Sequence, residues 1–277
     1  MSTIIHKKRW YLHTNNFSYN MMKYLKPRLI TFDVTGTLLM TKLEEHYIEV
    51  GRKYGLSIEP RRLAQSFKSN FQRLAVEHPI YGKYTGLGWE NWWRTIVYNV
   101  FKDQNKNIPS ETLDKVANTL IECYSTSKCW HMYPGTIELL ECLRKYKIVL
   151  GVISNFDERL EPILIDLKLR PFFSFVLTSY NFGKEKPDVS IFAEALRLAN
   201  KDQKVDIVPR QAIHIGDMID NDYFGAKNAQ WNALLISHEH KSIDERKVCK
   251  EDIFINLQDL HRHFEMFLNK IKDRKNV

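Results

Sequence analysis

The chain has 277 residues, 44% of them hydrophobic and 27% charged, with a net charge of +8. That length and balance fit one large or two modest globular domains and exclude a disordered chain, as does the 12% aromatic share. The positive charge suits anionic small molecules, and the lack of a compact basic and aromatic array argues against a specific nucleic-acid partner.

Residues 1–27 read as an N-terminal extension. No acidic residue precedes Asp33, whereas Lys7, Lys8, Arg9, Lys23, Lys26 and Arg28 are basic. This composition fits a mitochondrial presequence or an extended lead into the first strand, with Met21-Met22 as an alternative start. The apolar run Arg28–Val34 then predicts a strand that delivers Asp33 at its end. A carboxylate at the end of a buried strand needs a cation, hydrogen bonds or a reaction, because desolvation penalises its charge.

Residues 41–132 carry three helical stripes. Leu63, Phe67, Phe71 and Leu74 form one. Trp89, Trp92, Trp93, Ile96, Val97 and Val100 form the second, and Leu113, Val116, Ala117, Leu120, Ile121 and Tyr124 the third. Stripes of this kind bury against one another, so the segment predicts a small helical bundle with its tryptophans in the core. The Gly- and Tyr-rich stretch 78–88 predicts a loop over a pocket.

Strand-like runs follow at Ile148–Ser154, Phe173–Thr178, Ala212–Gly216, Ala233–Ser237 and Ile253–Asn256, with helical periodicity between most of them. Ile191, Phe192, Ala195, Leu196 and Ala199, for example, share one helix face. The alternation predicts an α/β fold in which residues 28–40 and 133–277 build a parallel, Rossmann-like sheet interrupted by the 41–132 bundle. Such sheets bind ligands at the carboxyl ends of their strands, where Asp33, Ser154 and Asp217 would converge. A last helix near Gln258–Lys272 leads into a basic tail.

Cys123, Cys129, Cys142 and Cys249 form no C-x-x-C pair, so reduced thiols are expected rather than zinc or a disulfide framework. The longest apolar runs, such as Ile148–Ile153, are too short for a bilayer. The expectation is a cytoplasmic protein without a membrane partner, with nucleus or mitochondrion as alternatives, acting as monomer or homodimer.

Four segments in chain order carry candidate chemistry: Asp33-Val34-Thr35-Gly36-Thr37-Leu38, Val152-Ile153-Ser154-Asn155, Lys186-Pro187 followed by Ile191-Phe192, and Gly216-Asp217 followed by Asp222 and Gly225-Ala226. Together they resemble the four motifs of the haloacid dehalogenase (HAD) superfamily. The bundle occupies the superfamily's C1 cap position, and the likeness runs over roughly residues 28–260. The resemblance implies a Mg²⁺-dependent hydrolase of a small phosphorylated molecule. It makes Asp33 the nucleophile and Lys186 its cationic partner. Ser154, Asn155 and Thr37 would bind phosphate. Asp33, Asp217 and the Thr35 main-chain carbonyl would hold Mg²⁺, with Asp222 supporting from behind. Lys184 reads as a surface charge, Asp220 as a spare acid in a loop or at a helix start, and His214 as a core residue. His238, His240, His261 and His263 lack ligand spacing.

One departure matters most. Where the motif places a second Asp as acid and base, this chain has Thr35, which cannot exchange protons near neutrality. P-type ATPases resemble the chain here, since their D-K-T-G-T loop also carries Thr. Three readings stay open: a phosphohydrolase weakened toward poor leaving groups, a catalytically poor or inactive protein with a binding or regulatory role, and a metal-free carbon–halogen hydrolase.

Overall fold

The computed structural model describes residues 26–201, 206–238 and 248–273. Residues 1–25, and with them most of the N-terminal extension, lie outside the described residues, as do His240 and the basic tail.

Among the described residues, six parallel strands form the sheet: β1 (Leu29–Phe32), β4 (Val149–Ser154), β5 (Phe175–Thr178), β6 (Ala212–Gly216), β7 (Asn232–Ile236) and β8 (Ile253–Phe254), in the order β5-β4-β1-β6-β7-β8. β1 is central, so its carboxyl end is flanked by the ends of β4 and β6. Phe32 pairs with Ile215, and the Asp33 amide donates to the Ile215 carbonyl at 2.8 Å. This register sets Asp33 beside the turn that follows β6.

Strand alternation decides which layer each side chain joins. Ile30, Phe32, Leu150, Val152, Ile213 and Ile215 bury toward helices α5 (Thr136–Lys145), α6 (Leu160–Asp166) and α10 (Leu257–Asp273). α10 anchors through Leu257, Leu260, Phe264 and Leu268, each stabilising by roughly 1.5–3 kcal/mol. The opposite face packs Leu29, Ile153, Ala212 and Ala233 on α8 (Val189–Asn200), through Ile191, Phe192, Ala195 and Ala199. Asp188 caps α8 by accepting from the Ser190 amide.

The bundle comprises α1 (Leu43–Lys53), α2 (Pro60–Glu77), α3 (Gly88–Gln104) and α4 (Ser110–Cys123), with its own core around Tyr47, Leu63, Trp92, Ile96, Phe101, Leu113 and Leu120. Its two connections leave and return side by side. β2 (Leu39–Met40) pairs antiparallel with β3 (His131–Met132), so the bundle hangs on a two-stranded ribbon close to the Asp33 loop. No helix among the described residues is long and apolar enough to cross a membrane.

Two expectations need correction. Cys123 and Cys129 are joined as a disulfide, Cα atoms 5.9 Å apart, while Cys142 and Cys249 are free. The chain reverses between the end of α4 and the turn Ser127–Cys129, a close approach that a spacing of six does not advertise. Of the three tryptophans only Trp92 is fully in the bundle core. Trp93 donates its indole N–H to Asp157 at 2.8 Å and Trp89 to Glu158 at 2.7 Å, reaching across to the loop after β4.

Candidate active site

β1 and β6 deliver two carboxylates to one point, and a third comes from the turn beyond. Asp33, Asp217 and Asp222 each bring an oxygen within 4.8 Å of the others. After Asp217 the chain enters a π-helical turn, Ile219–Phe224, which returns Asp222 beneath the cluster. Close approach here demands glycine twice. A Cβ on Gly36, whose φ is +85°, would lie 2.4 Å from Asp217 Oδ2, and one on Gly216 would lie 2.1 Å from the Asp222 carboxyl carbon.

Lys186 arrives from the loop before α8 and is 2% exposed. Its Nζ donates to Asp33 Oδ1 at 2.7 Å, Asp222 Oδ1 at 2.6 Å and the Ile153 carbonyl at 2.8 Å. Three contacts satisfy all three ammonium protons. Burial alone would lower its pKa, but Asp222 and Asp33 outweigh it and hold the ammonium above the ordinary lysine range. Lys184 is exposed and only 3.7 Å from Asp188, the surface role its position suggested.

Asp222 sits behind the cluster, fully engaged. Besides Lys186 it accepts from His214 Nε2 at 3.0 Å and from the Met218 amide at 2.9 Å. Burial pushes its carboxyl up, but Lys186 and His214 overcome this and hold it far below the carboxylate range. An ionised Asp222 only accepts, so the neighbouring His214 nitrogen carries the proton. His214 Nδ1 then takes the Thr31 hydroxyl at 2.8 Å. Burial holds His214 neutral. It is a satisfied core residue, as its apolar strand implied. Its partner is an acid of the site, which pattern alone did not show.

Asp33 and Asp217 are less well compensated. Burial raises both, opposed by Lys186, and Asp217 is pushed up to about 7, aided by the neighbouring Asp33 and Asp222 carboxylates. Asp217 Oδ1 is buried without a hydrogen-bond partner. When all three carboxylates are ionised, the single Lys186 ammonium leaves two negative charges, which one divalent cation would balance. An orphaned oxygen in an all-oxygen cluster fits a hard cation such as Mg²⁺.

The sign of the Asp217 shift makes a prediction. Its folded pKa lies near 7, above an unfolded value of about 3.9. Metal-free protein therefore loses stability as pH rises between these values. Asp217→Asn should raise Tm by several degrees at pH 7.5 in EDTA and have little effect at pH 4. Thermal scans at the two pH values test this, and equal shifts at both would contradict it.

The phosphate-binding candidates separate. Thr37 Oγ1 is buried and has no hydrogen-bond partner, so it is available to a ligand. Ser154 ends β4, 2% exposed. The Asn155 side chain is committed elsewhere: Oδ1 accepts the Lys186 amide at 2.8 Å, and Nδ2 donates to the Lys186 carbonyl at 2.9 Å. Thr35 is exposed at the mouth of the loop, and Asp220 is exposed beyond it. His238 accepts no ligand role by spacing, yet its Nε2 lies 3.0 Å from the Thr37 carbonyl and its ring stacks on Tyr133.

The bundle reaches this site through its 78–88 loop. Tyr81 donates to the Asn155 carbonyl at 2.7 Å, and Tyr84 to that of Gly183 at 3.0 Å. Lys83 donates to the carbonyls of Tyr180 and Asn181. Below them, buried Asp157 holds Arg159 at 2.7 Å, and the guanidinium lies over Trp89 and Trp93.

A sequence profile described as haloacid dehalogenase-like hydrolase matches residues 27–230. The rhythmically expressed gene 2 protein of Drosophila melanogaster is 36% identical over 247 residues, covering 85% of this chain and 94% of its own. The human haloacid dehalogenase-like hydrolase domain-containing protein 3 is 36% identical over 218 residues, covering 78% and 84%. Among solved structures, the putative HAD-hydrolase YfnB of Bacillus subtilis, bound to magnesium, superposes with a TM-score of 0.63 at 18% identity, over 86% of this chain and 98% of that one. The four motif segments, three of them gathered at strand ends by the sheet register, and the profile match over most of the length agree: the chain belongs to the haloacid dehalogenase-like hydrolase family.

Proposed function

We propose that the protein is a Mg²⁺-dependent phosphohydrolase that acts on a small phosphorylated molecule through a phosphoaspartate at Asp33. The observation that carries this reading is the buried Lys186 ammonium bridging Asp33 and Asp222 beside the orphaned Asp217 oxygen. Asp33, Asp217 and the Thr35 carbonyl are the groups that would hold Mg²⁺. When bound, the ion supplies positive charge to the phosphoryl group and its nucleophile.

The chain's own residues account for the rest. Lys186 donates to Asp33 Oδ1, so Oδ2 is assigned the attack on phosphorus. The new bond to Asp33 forms as the bond to the leaving oxygen breaks. Lys186 offsets the repulsion between the carboxylate and the phosphate dianion. Ser154 and Thr37 hydroxyls bind the phosphoryl oxygens. Water then attacks phosphorus and the bond between phosphorus and Asp33 Oδ2 breaks, restoring the carboxylate, while the water proton leaves on inorganic phosphate or passes to solvent. Thr35 gives the leaving oxygen no proton, so substrates whose leaving group is stable as an anion are favoured. The bundle, suspended over the site, acts as the cap.

Turnover of para-nitrophenyl phosphate and acetyl phosphate by the purified protein tests the reading. The expected result is hydrolysis with Mg²⁺ that disappears in EDTA. EDTA-resistant hydrolysis of a haloacid would instead assign carbon–halogen chemistry. Thr35 also favours a second reading, a protein that binds its ligand but turns it over poorly. Folded protein with no turnover of either activated ester would favour that reading.

A further inference from the structure

We infer that Tyr81 is a positioning residue that makes the placement of Lys186 depend on closure of the cap. The inference rests on the phosphohydrolase reading for its kinetic consequence, but not for its geometry.

Three links join the cap to the lysine. Tyr81 donates its hydroxyl to the Asn155 carbonyl at 2.7 Å. The Asn155 amide grips both main-chain groups of Lys186, at 2.8 and 2.9 Å. Lys186 in turn reaches Asp33 and Asp222. Asn155 is therefore a relay with the cap on one side and the site's only buried ammonium, among the described residues, on the other.

The Tyr81 side chain is held for this contact. Its ring stacks on Trp93, centroids 6.0 Å apart, and meets Trp92 edge-on at 5.1 Å. Its backbone has φ +53°, and Ile80 before it has φ +50°. Two successive non-glycine residues in the left-handed region are unfavourable unless their surroundings enforce them, and such sites cluster where structure serves function. The same loop grips the other flank of the lysine. Lys83 and Tyr84 donate to carbonyls at Tyr180, Asn181 and Gly183, a few residues before Lys186. All these donors come from the cap, and all the acceptors are main-chain carbonyls of the two segments that meet at Lys186. An open cap would withdraw them together. Closure over a substrate thus completes the hydrogen bonding that fixes Lys186.

Tyr81→Phe removes the hydroxyl and keeps the ring, so the aromatic packing survives. Against para-nitrophenyl phosphate it should lower kcat about tenfold, the size of one lost hydrogen bond, with KM unchanged. In an Asn155→Ala background the same change should cost nothing more, because the relay is already cut. Hydrogen exchange should rise in residues 183–188 of Tyr81→Phe. Equal kcat losses in both backgrounds, or faster exchange confined to residues 78–88, would overturn the inference. The exchange measurement needs no turnover. An inactive wild type would therefore count against the phosphohydrolase reading, while the exchange pattern alone would still decide the coupling.

Discussion

Asp33→Asn is expected to reduce hydrolysis of para-nitrophenyl phosphate by at least about 10³-fold, because an amide oxygen is a far poorer nucleophile than a carboxylate. The substitution is nearly isosteric. The Asn carbonyl still accepts from Lys186 Nζ, which also keeps Asp222 and the Ile153 carbonyl. The buried ammonium is not left unpaired, so the several kcal/mol that follow from orphaning a buried charge do not arise. Removing one of three clustered carboxylates also relieves Asp217. The variant should be folded, with a Tm no lower than that of the parent in EDTA. Steady-state kinetics beside a thermal scan make the comparison. Turnover near the parent level in a folded variant would remove Asp33 from the mechanism, and with it the phosphoaspartate.

Thr35→Asp is expected to act in the opposite direction. Supplying an acid and base at this position should raise hydrolysis of alkyl phosphates by about 10²–10⁴-fold, the usual contribution of proton transfer. The position is exposed, so a carboxylate there meets little desolvation penalty. The main-chain carbonyl assigned to Mg²⁺ is unchanged by the substitution. The gain should depend on the leaving group. An alkoxide needs protonation, whereas para-nitrophenolate does not, so the activated ester should gain far less. Plotting log(kcat/KM) against leaving-group pKa separates the cases. The parent should fall steeply as leaving-group pKa rises, and the variant should be nearly flat. Parallel lines from two folded, Mg²⁺-binding proteins would mean that the missing acid is not what limits this site.

The two variants read different parts of one constellation, and the sequence exposed those parts unequally. Asp33 and Asp217 were legible because each follows an apolar run, and a carboxylate at a buried strand's end has few uneventful roles. Lys186 was distinguishable from Lys184 only through the resemblance. In the structure the two differ by burial, one inside against two carboxylates and the other in solvent. The place of Asn155 in the motif implies a phosphate ligand, yet its side chain organises the Lys186 backbone. No one-dimensional pattern reports which of two nearby polar groups an amide will choose. His214 reads as a core residue because it lies in a run of apolar residues. Its link to Asp222 depends on the π-helical turn folding that acid back beneath β6.

The sequence by itself determined the layered architecture, because strand and helix periodicities are local properties of the chain. It also determined the departure from the family motif at Thr35, because a side chain that cannot exchange protons near neutrality cannot do so in any fold. Only the tertiary structure decided what faces what. The 78–88 loop grips the segments around Lys186, the indole N–H groups of Trp89 and Trp93 reach Glu158 and Asp157, and Cys123 meets Cys129. These contacts join residues that no period relates. They follow from how the bundle is hung on the β2–β3 ribbon and from which buried donors then need acceptors, and both are settled when the whole chain packs.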